Sequence, residues 1–389
     1  MVSTNLKAQF LLRPDITFLN HGSFGACPRP VFEAYQQFQF ELEAEPVQFM
    51  TETGLAYLKT SREALAEFVH CDPLDLVYTT NPSTALNTVI RSLDLKPGDQ
   101  ILTTNQEYGA MDMTWRYYCK QTGAVYVQQE IPLPLQSKEA FLSAFWSGLT
   151  PKTKVVFISA ITSPTAVIFP IADICQKARE LGLLTVIDGA HVPAHIPLDI
   201  KSIDPDVYTG ACHKWLLAPK GSSFLYVRKN LQERIDPLVI SWGYEAAEPS
   251  GSIFQDYHEY QGTRDFSAFL VTPHALSFMQ KHNWKAEKEK CRALLKNYYP
   301  IIAQELNSQT LAPLCDDFLG QICSIPIRTK APEKLKEILY QTYRIEIPIV
   351  QFSDSVYLRI SFQAYNGEAE IITLINALKD IQQKTNLLE

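Results

Sequence analysis

From about residue 75 to residue 227, short β-branched and aromatic runs alternate with amphipathic helical patterns, and this alternation admits few folds. DLVYTT (75–80), QILTTNQEY (100–108), AVYVQQE (124–130), KVVFISA (154–160), LLTVIDGA (183–190), DVYTG (206–210) and SSFLYV (222–227) read as strands. Between them NPSTALNTVIRSL, KEAFLSAFWSGL and ADICQKARELG read as helices, the first with Asn81 as cap and Pro82 at its first position. Strands that alternate with helices build an α/β fold, a mostly parallel sheet with helices on both faces. This pattern defines a large domain over 15–265. Beyond it, long charged helices lead to GQICSIPI, IEIPIV, SVYLRISF and a closing helix, a small C-terminal α+β domain over 266–389. Residues 1–14 are expected to pack with that second domain. No Pro/Gly/Ser-rich linker separates the two, so they are expected to pack closely.

A chain of 389 residues, 46% hydrophobic and 20% charged, can fill two such cores. Its formal net charge of −7 argues against nucleic acid or an anionic membrane as the main partner. The N-terminal stretch has no long apolar core or small-residue cleavage site, and no apolar run reaches spanning length, so a cytoplasmic location is expected. Eight cysteines without a C-x-x-C pair read as reduced thiols. Cys212, His213, His191 and His195 match no common ligand spacing, and Pro193 breaks a helical H-x-x-x-H, so no metal is expected.

In an open parallel sheet, ligands bind beyond the carboxyl ends of the strands, and four polar sets stand there. VIDGAHVPAH ends a strand at Asp188 and continues to His191. Alone, Asp188 reads as a capping aspartate; with a cationic partner it reads as a buried carboxylate holding a cofactor's positive group. CHKWLL places His213 and Lys214 one strand later, against an apolar run. A strand-end lysine is usually a snorkelling surface residue, but apolar surroundings depress its pKa and favour a Schiff base with a carbonyl. Lys220 is a rival whose Pro-Lys-Gly context reads as a turn. TTNPSTALNTVI leads a strand into a helix whose first turn carries Ser83 and Thr84, either a plainly capped helix or a phosphate seat. SVYLRISF sets Arg359 in an apolar run, where it pairs with an internal acid or seats a substrate carboxylate. An anion seat, a carboxylate, a reactive lysine and a carboxylate-binding arginine together match pyridoxal phosphate and an amino-acid substrate.

LNHGSFGACPRPV (19–31), ITSPTAVIFP (161–170), CHKWLLAPKGSSFLYV (212–227) and YQGTRDFSAFL (260–270) resemble the class V aminotransferase-like group of fold type I pyridoxal-phosphate enzymes, in its isopenicillin N epimerase-like branch. The resemblance covers nearly the whole chain. It implies that Lys214 bonds the cofactor carbonyl, that Asp188 bonds the pyridine nitrogen, and that these two are catalytic. It implies further that His191 lies near the ring's phenolic oxygen, that Tyr108 stacks on the ring, and that Ser83, Thr84 and His213 hold the phosphate. Thr263 would reach the phosphate from a neighbouring subunit, which implies a homodimer with shared active sites. Arg359 would bind the substrate α-carboxylate, with His21, Thr162 and Ser163 on the substrate side.

Two departures matter. Ala211 stands where many relatives carry serine, so one phosphate hydroxyl is missing or comes from Thr209. Between Arg344 and Arg359 there is no cysteine, and the nearest upstream, Cys323, lies in an apolar run, which disfavours cysteine desulfuration. Epimerisation of an amino acid at Cα comes first among the expected reactions. A carbon–sulfur lyase acting on a cysteine S-conjugate or sulfoxide is the alternative, and an aminotransferase the third. Tyr244 and Tyr257 are candidates for the acid an epimerase needs opposite Lys214.

Overall fold

The computed structural model describes residues 6–247 and 249–388. Among these residues there are twelve strands: β1 (Thr17–Phe18), β2 (Leu76–Thr79), β3 (Gln100–Thr104), β4 (Val125–Gln129), β5 (Thr153–Ser159), β6 (Leu184–Asp188), β7 (Val207–Ala211), β8 (Ser223–Val227), β9 (Ile322–Ile327), β10 (Ile345–Glu346), β11 (Ile349–Phe352) and β12 (Ser355–Ser361). Seven form the main sheet in the order β2-β8-β7-β6-β5-β3-β4. β7, β6, β5, β3 and β4 are parallel, and β8 runs antiparallel to both β7 and β2.

The strands are buried on both faces, and the side-chain period of two divides them between two cores. Val155, Phe157, Val186 and Val207 face a layer with Leu86, Val89 and Trp115. Val156, Ile158, Ile187 and Tyr208 face the other, with Leu65, Phe141 and Ile174. A third core joins Cys323, Ile325, Leu358 and Ile360 of the antiparallel sheet β11-β12-β9 to the helices Trp284–Glu305 and Glu368–Lys384.

All seven expected strands of the main sheet are present, but β3 ends at Thr104 and not at Tyr108. A helix over Gly109–Thr122 follows, which the sequence reading left unassigned. The long helical run from 274 to 306 is two helices, broken where Asn283 adopts a left-handed φ of 48°. The N-terminal segment reaches the C-terminal helix, with Lys7 paired to Glu370 at 2.6 Å and Phe10 packed edge-on against Tyr365. Among the described residues no helix is long and apolar enough to cross a membrane.

Candidate active site

The carboxyl ends of β5 and β6 and the turn after β7 open on one cleft of about 470 Å³. Asp188 ends β6 beside Ser159 of β5 in parallel register. It is 5% exposed, and its one hydrogen bond is accepted from the Ala190 amide at 2.9 Å. Burial raises its pKa, and among the described residues no basic group lies within ion-pair distance. Gly189 permits the turn that follows: a Cβ there would sit 2.3 Å from the Tyr208 hydroxyl.

Lys214 lies in the turn after β7, with Nζ 3.2 Å from His191 Nε2. Burial lowers its pKa to about 8, with Arg359 acting in the same direction and Asp188 against it. Such an amine is substantially neutral in mild alkali and available as a nucleophile or base. Gly25 brings the N-terminal loop onto this turn at a φ of +70°, where a Cβ would stand 2.1 Å from the His213 carbonyl. That approach carries Ser23 and Phe24 into the cleft.

Arg359 projects from β12 and is 6% exposed. It donates through Nη1 to the Ser163 carbonyl at 2.7 Å and hydroxyl at 3.2 Å, and through Nη2 to Ser23 Oγ at 2.8 Å. Its Nε has no partner, and among the described residues no carboxylate pairs with it. Burial lowers its pKa to about 10. A desolvated guanidinium without an acid is costly, and an incoming carboxylate would meet that need.

The cleft also meets the start of the helix Pro82–Ser92, where the Asn81 side chain caps the helix by accepting from the Thr84 amide at 2.8 Å. Pro82 has no N–H to offer, and among the described residues the Ser83 amide and hydroxyl have no hydrogen-bond partner. The helix dipole adds positive potential there. His213 donates through Nδ1 to the Ser222 carbonyl at 2.9 Å and turns its other edge toward the cleft. Burial lowers its pKa to about 4, and a bound anion would raise it again.

Of the residues singled out from sequence, Lys214, Asp188, His191, His213, Ser83, Tyr108, Ser163 and Arg359 line this one cleft. Thr84 does not, because its hydroxyl is engaged with Asn81 and Thr80. Thr209 is also taken, donating to the Phe224 carbonyl at 2.7 Å. His21 and Thr162 are fully buried behind the wall, His21 against Tyr365 and Gln363, Thr162 against Thr165. Thr263 and Tyr244 are exposed and Tyr257 is half-buried, all outside the cleft of their own chain, the two tyrosine rings lying 4.9 Å apart.

One residue the sequence reading did not single out is Glu107. It is fully buried, with Oε2 accepting from the Ser159 amide at 2.8 Å and hydroxyl at 2.6 Å, and Oε1 accepting from Thr104 at 2.7 Å. It ties the ends of β3 and β5 together directly before Tyr108. Burial, the largest influence, outweighs these bonds and raises its pKa to about 8. Between the ordinary value of 4.5 and about 8 the folded chain therefore holds a proton that the unfolded chain releases. Stability falls with rising pH across that window. In urea unfolding, Glu107→Gln should remove roughly 2 kcal/mol of the decline between about pH 5.5 and pH 7.5. Equal slopes in both proteins would contradict the assignment.

A lysine amine, a strand-end carboxylate lacking a cation, a helix-start anion seat and an unpaired buried arginine fit a phosphorylated pyridine aldehyde and an α-carboxylate. The model of the aminotransferase class-V family matches residues 25–374. Isopenicillin N epimerase of Streptomyces clavuligerus is 34% identical over 96% of this chain and 96% of its own length. A putative L-cysteine desulfhydrase 1 of Oryza sativa subsp. japonica is 27% identical over 93% of this chain and 82% of its own. Among solved structures, a C-DES variant with glycine linked to its pyridoxal-phosphate cofactor has a TM-score of 0.82. It shares 22% identity and covers 96% of this chain and 99% of that one, a likeness of fold.

Proposed function

The chain belongs to the aminotransferase class-V family, and from that premise we propose that it epimerises an amino acid at Cα. Its fold is type I and its cofactor is pyridoxal phosphate, which when bound supplies an electron sink for the pair left on Cα. Lys214, Asp188, His213, Ser83 and Tyr108 would hold that group. Arg359 would seat the α-carboxylate, Lys214 Nζ would take the Cα proton from one face, and an acid on the opposite face, for which Tyr244 and Tyr257 are the candidates, would return one. The observation that carries the reading is the convergence of a depressed lysine, an unpaired buried arginine and Asp188 on one cleft. The 34% identity to an epimerase along nearly the full length favours epimerisation over its rivals.

A carbon–sulfur lyase is the second reading, favoured by the desulfhydrase relative. It needs a leaving group on Cβ and no second acid, and neither Tyr244 nor Tyr257, the expected acids, lines the cleft of its own chain. A persulfide-forming desulfurase has less support. Cys323 is buried in the core of the small sheet, where burial pushes its thiol up, and among the described residues no cysteine lines the cleft.

We also propose a homodimer, to which Thr263 and the pair Tyr244–Tyr257 would contribute from the partner. Trp242 is 91% exposed in the same segment as Ile240 and Tyr244, and Phe24 is exposed at the cleft mouth, apolar area that a second copy would cover. A chain that sediments as a monomer with full activity would defeat this. A cytoplasmic location is proposed on eight free thiols.

Incubation with L-amino acids and cysteine S-conjugates in deuterated water separates the reactions. Cα deuteration with loss of chirality is the expected result. Pyruvate, ammonia and a released thiol or sulfenate would replace the epimerase by the lyase, and a keto acid with aminated cofactor would replace it by a transaminase.

A further inference from the structure

An indole N–H and a backbone N–H only donate, and a backbone carbonyl only accepts, so their partners fix ring protonation around Lys214. Trp215 Nε1 donates to His191 Nδ1 at 3.3 Å. Nδ1 therefore carries the lone pair, and the neutral ring keeps its proton on Nε2, which faces Lys214 Nζ at 3.2 Å. Behind it, the Gln321 amide donates to His195 Nε2 at 2.6 Å, and His195 Nδ1 donates to the His191 carbonyl at 2.8 Å. Trp215 is fully buried, stacked on His195 with ring centroids 3.9 Å apart and tilted over His21 at 4.8 Å. The indole has no room to turn its N–H elsewhere.

We propose that Trp215 is a positioning residue that sets the protonation of the Lys214–His191 pair. By holding His191 as the Nε2–H imidazole, it requires the lysine to accept that hydrogen bond, which only a neutral amine can do. An ammonium would set N–H against N–H. The ring would escape by moving its proton to Nδ1, which the indole blocks. Burial of His191, the largest influence on it, keeps the ring neutral, with Lys214, Arg359, His195 and His21 adding to that effect. The other groups facing Lys214 are Arg359 from β12, Asp188 from β6, His213 from its own turn and Tyr108 from the segment after β3. Arg359 acts in the same direction and Asp188 against it.

The test uses Trp215→Phe, which removes the N–H, and benzothienylalanine at position 215, which keeps the bicyclic shape and replaces the N–H by sulfur. In cofactor-free protein labelled with ¹⁵N-histidine, the His191 signal, assigned by its loss in His191→Asn, should change from one Nε2–H tautomer to a mixture in both variants. Reductive capture of an aldehyde by Lys214 at neutral pH should slow about tenfold, the consequence of a pKa raised by roughly one unit. A His191 tautomer unchanged in both variants overturns the proposal. So does a changed tautomer with the pH profile of Lys214 in place, or a lower melting temperature alone. The consequence rests on Lys214 as the reacting amine. Failure of the wild type to capture pyridoxal phosphate at Lys214 defeats that reading, whereas an unmoved tautomer defeats only this one.

Discussion

Lys214→Ala should leave a folded protein that holds no cofactor through a borohydride-reducible bond and turns over at least about 10³-fold more slowly. The fold should survive because the substitution removes an amine whose burial disfavours its charge; no ion pair goes with it among the described residues. Catalysis should not survive, because among the described residues no second lysine lines the cleft. Lys220, six residues on, is exposed beyond the turn. Small primary amines added to Lys214→Ala should restore part of the rate, and the restoration should grow with the concentration of free base. In the wild type, capture of the cofactor by apo protein should rise through pH 8, the value to which burial and Arg359 bring the amine. Mass spectrometry of the reduced peptide should place the label at position 214. Label at Lys220, or activity within tenfold of wild type, would remove the central assignment.

The main sheet was legible because its strands are buried on both faces and read as β-branched runs, while Asn81 and Pro82 announce the helix after β2. The helix Gly109–Thr122 was not, since its buried positions, Met111, Trp115 and Cys119, are interrupted by exposed aromatics such as Tyr117. Single-residue breaks are harder still. Asn283 ends one helix and starts the next through one left-handed residue, and nothing in the charge pattern around it marks the place.

At the site, several of the expected residues that line the cleft, Asp188, His213 and Lys214 among them, follow the ends of apolar strands, a position that topology turns toward the cleft. The others depended on contacts between distant segments. Thr84 and Thr209 carry the hydroxyls expected of a phosphate seat, yet Asn81 and Phe224 take them. His21 and Thr162 sit one residue from Gly22 and Ser163, which do line the cleft, and the local geometry turns them behind it. Glu107 gave a readable signal, an acid between a strand and an aromatic residue with no basic residue near it. Its role in tying β3 to β5 needs Ser159, which is 52 residues away.

Arg359 allows the sharpest separation of substrate binding from stability. Its hydrogen bonds to Ser163 and Ser23 all go to neutral groups, its Nε has no partner, and no acid offsets its charge among the described residues. Removing a buried charge of that kind is neutral or stabilising. The same charge is what a carboxylate would bind through two parallel N–H···O bonds. Arg359→Met should therefore melt no lower than wild type while KM rises by at least about 10²-fold, roughly the value of one bidentate charge-assisted pair. Cofactor affinity should change by less than about threefold, because the Arg359 hydrogen bonds go to Ser163 and Ser23 and not to Ser83, His213, Asp188 or Lys214. Arg359→Lys should not recover the loss, since an ammonium reproduces the charge without the planar fork. A Met variant that lost substrate and cofactor affinity equally would show that Arg359 shapes the cleft as a whole. A Lys variant with wild-type KM would show that its charge alone matters.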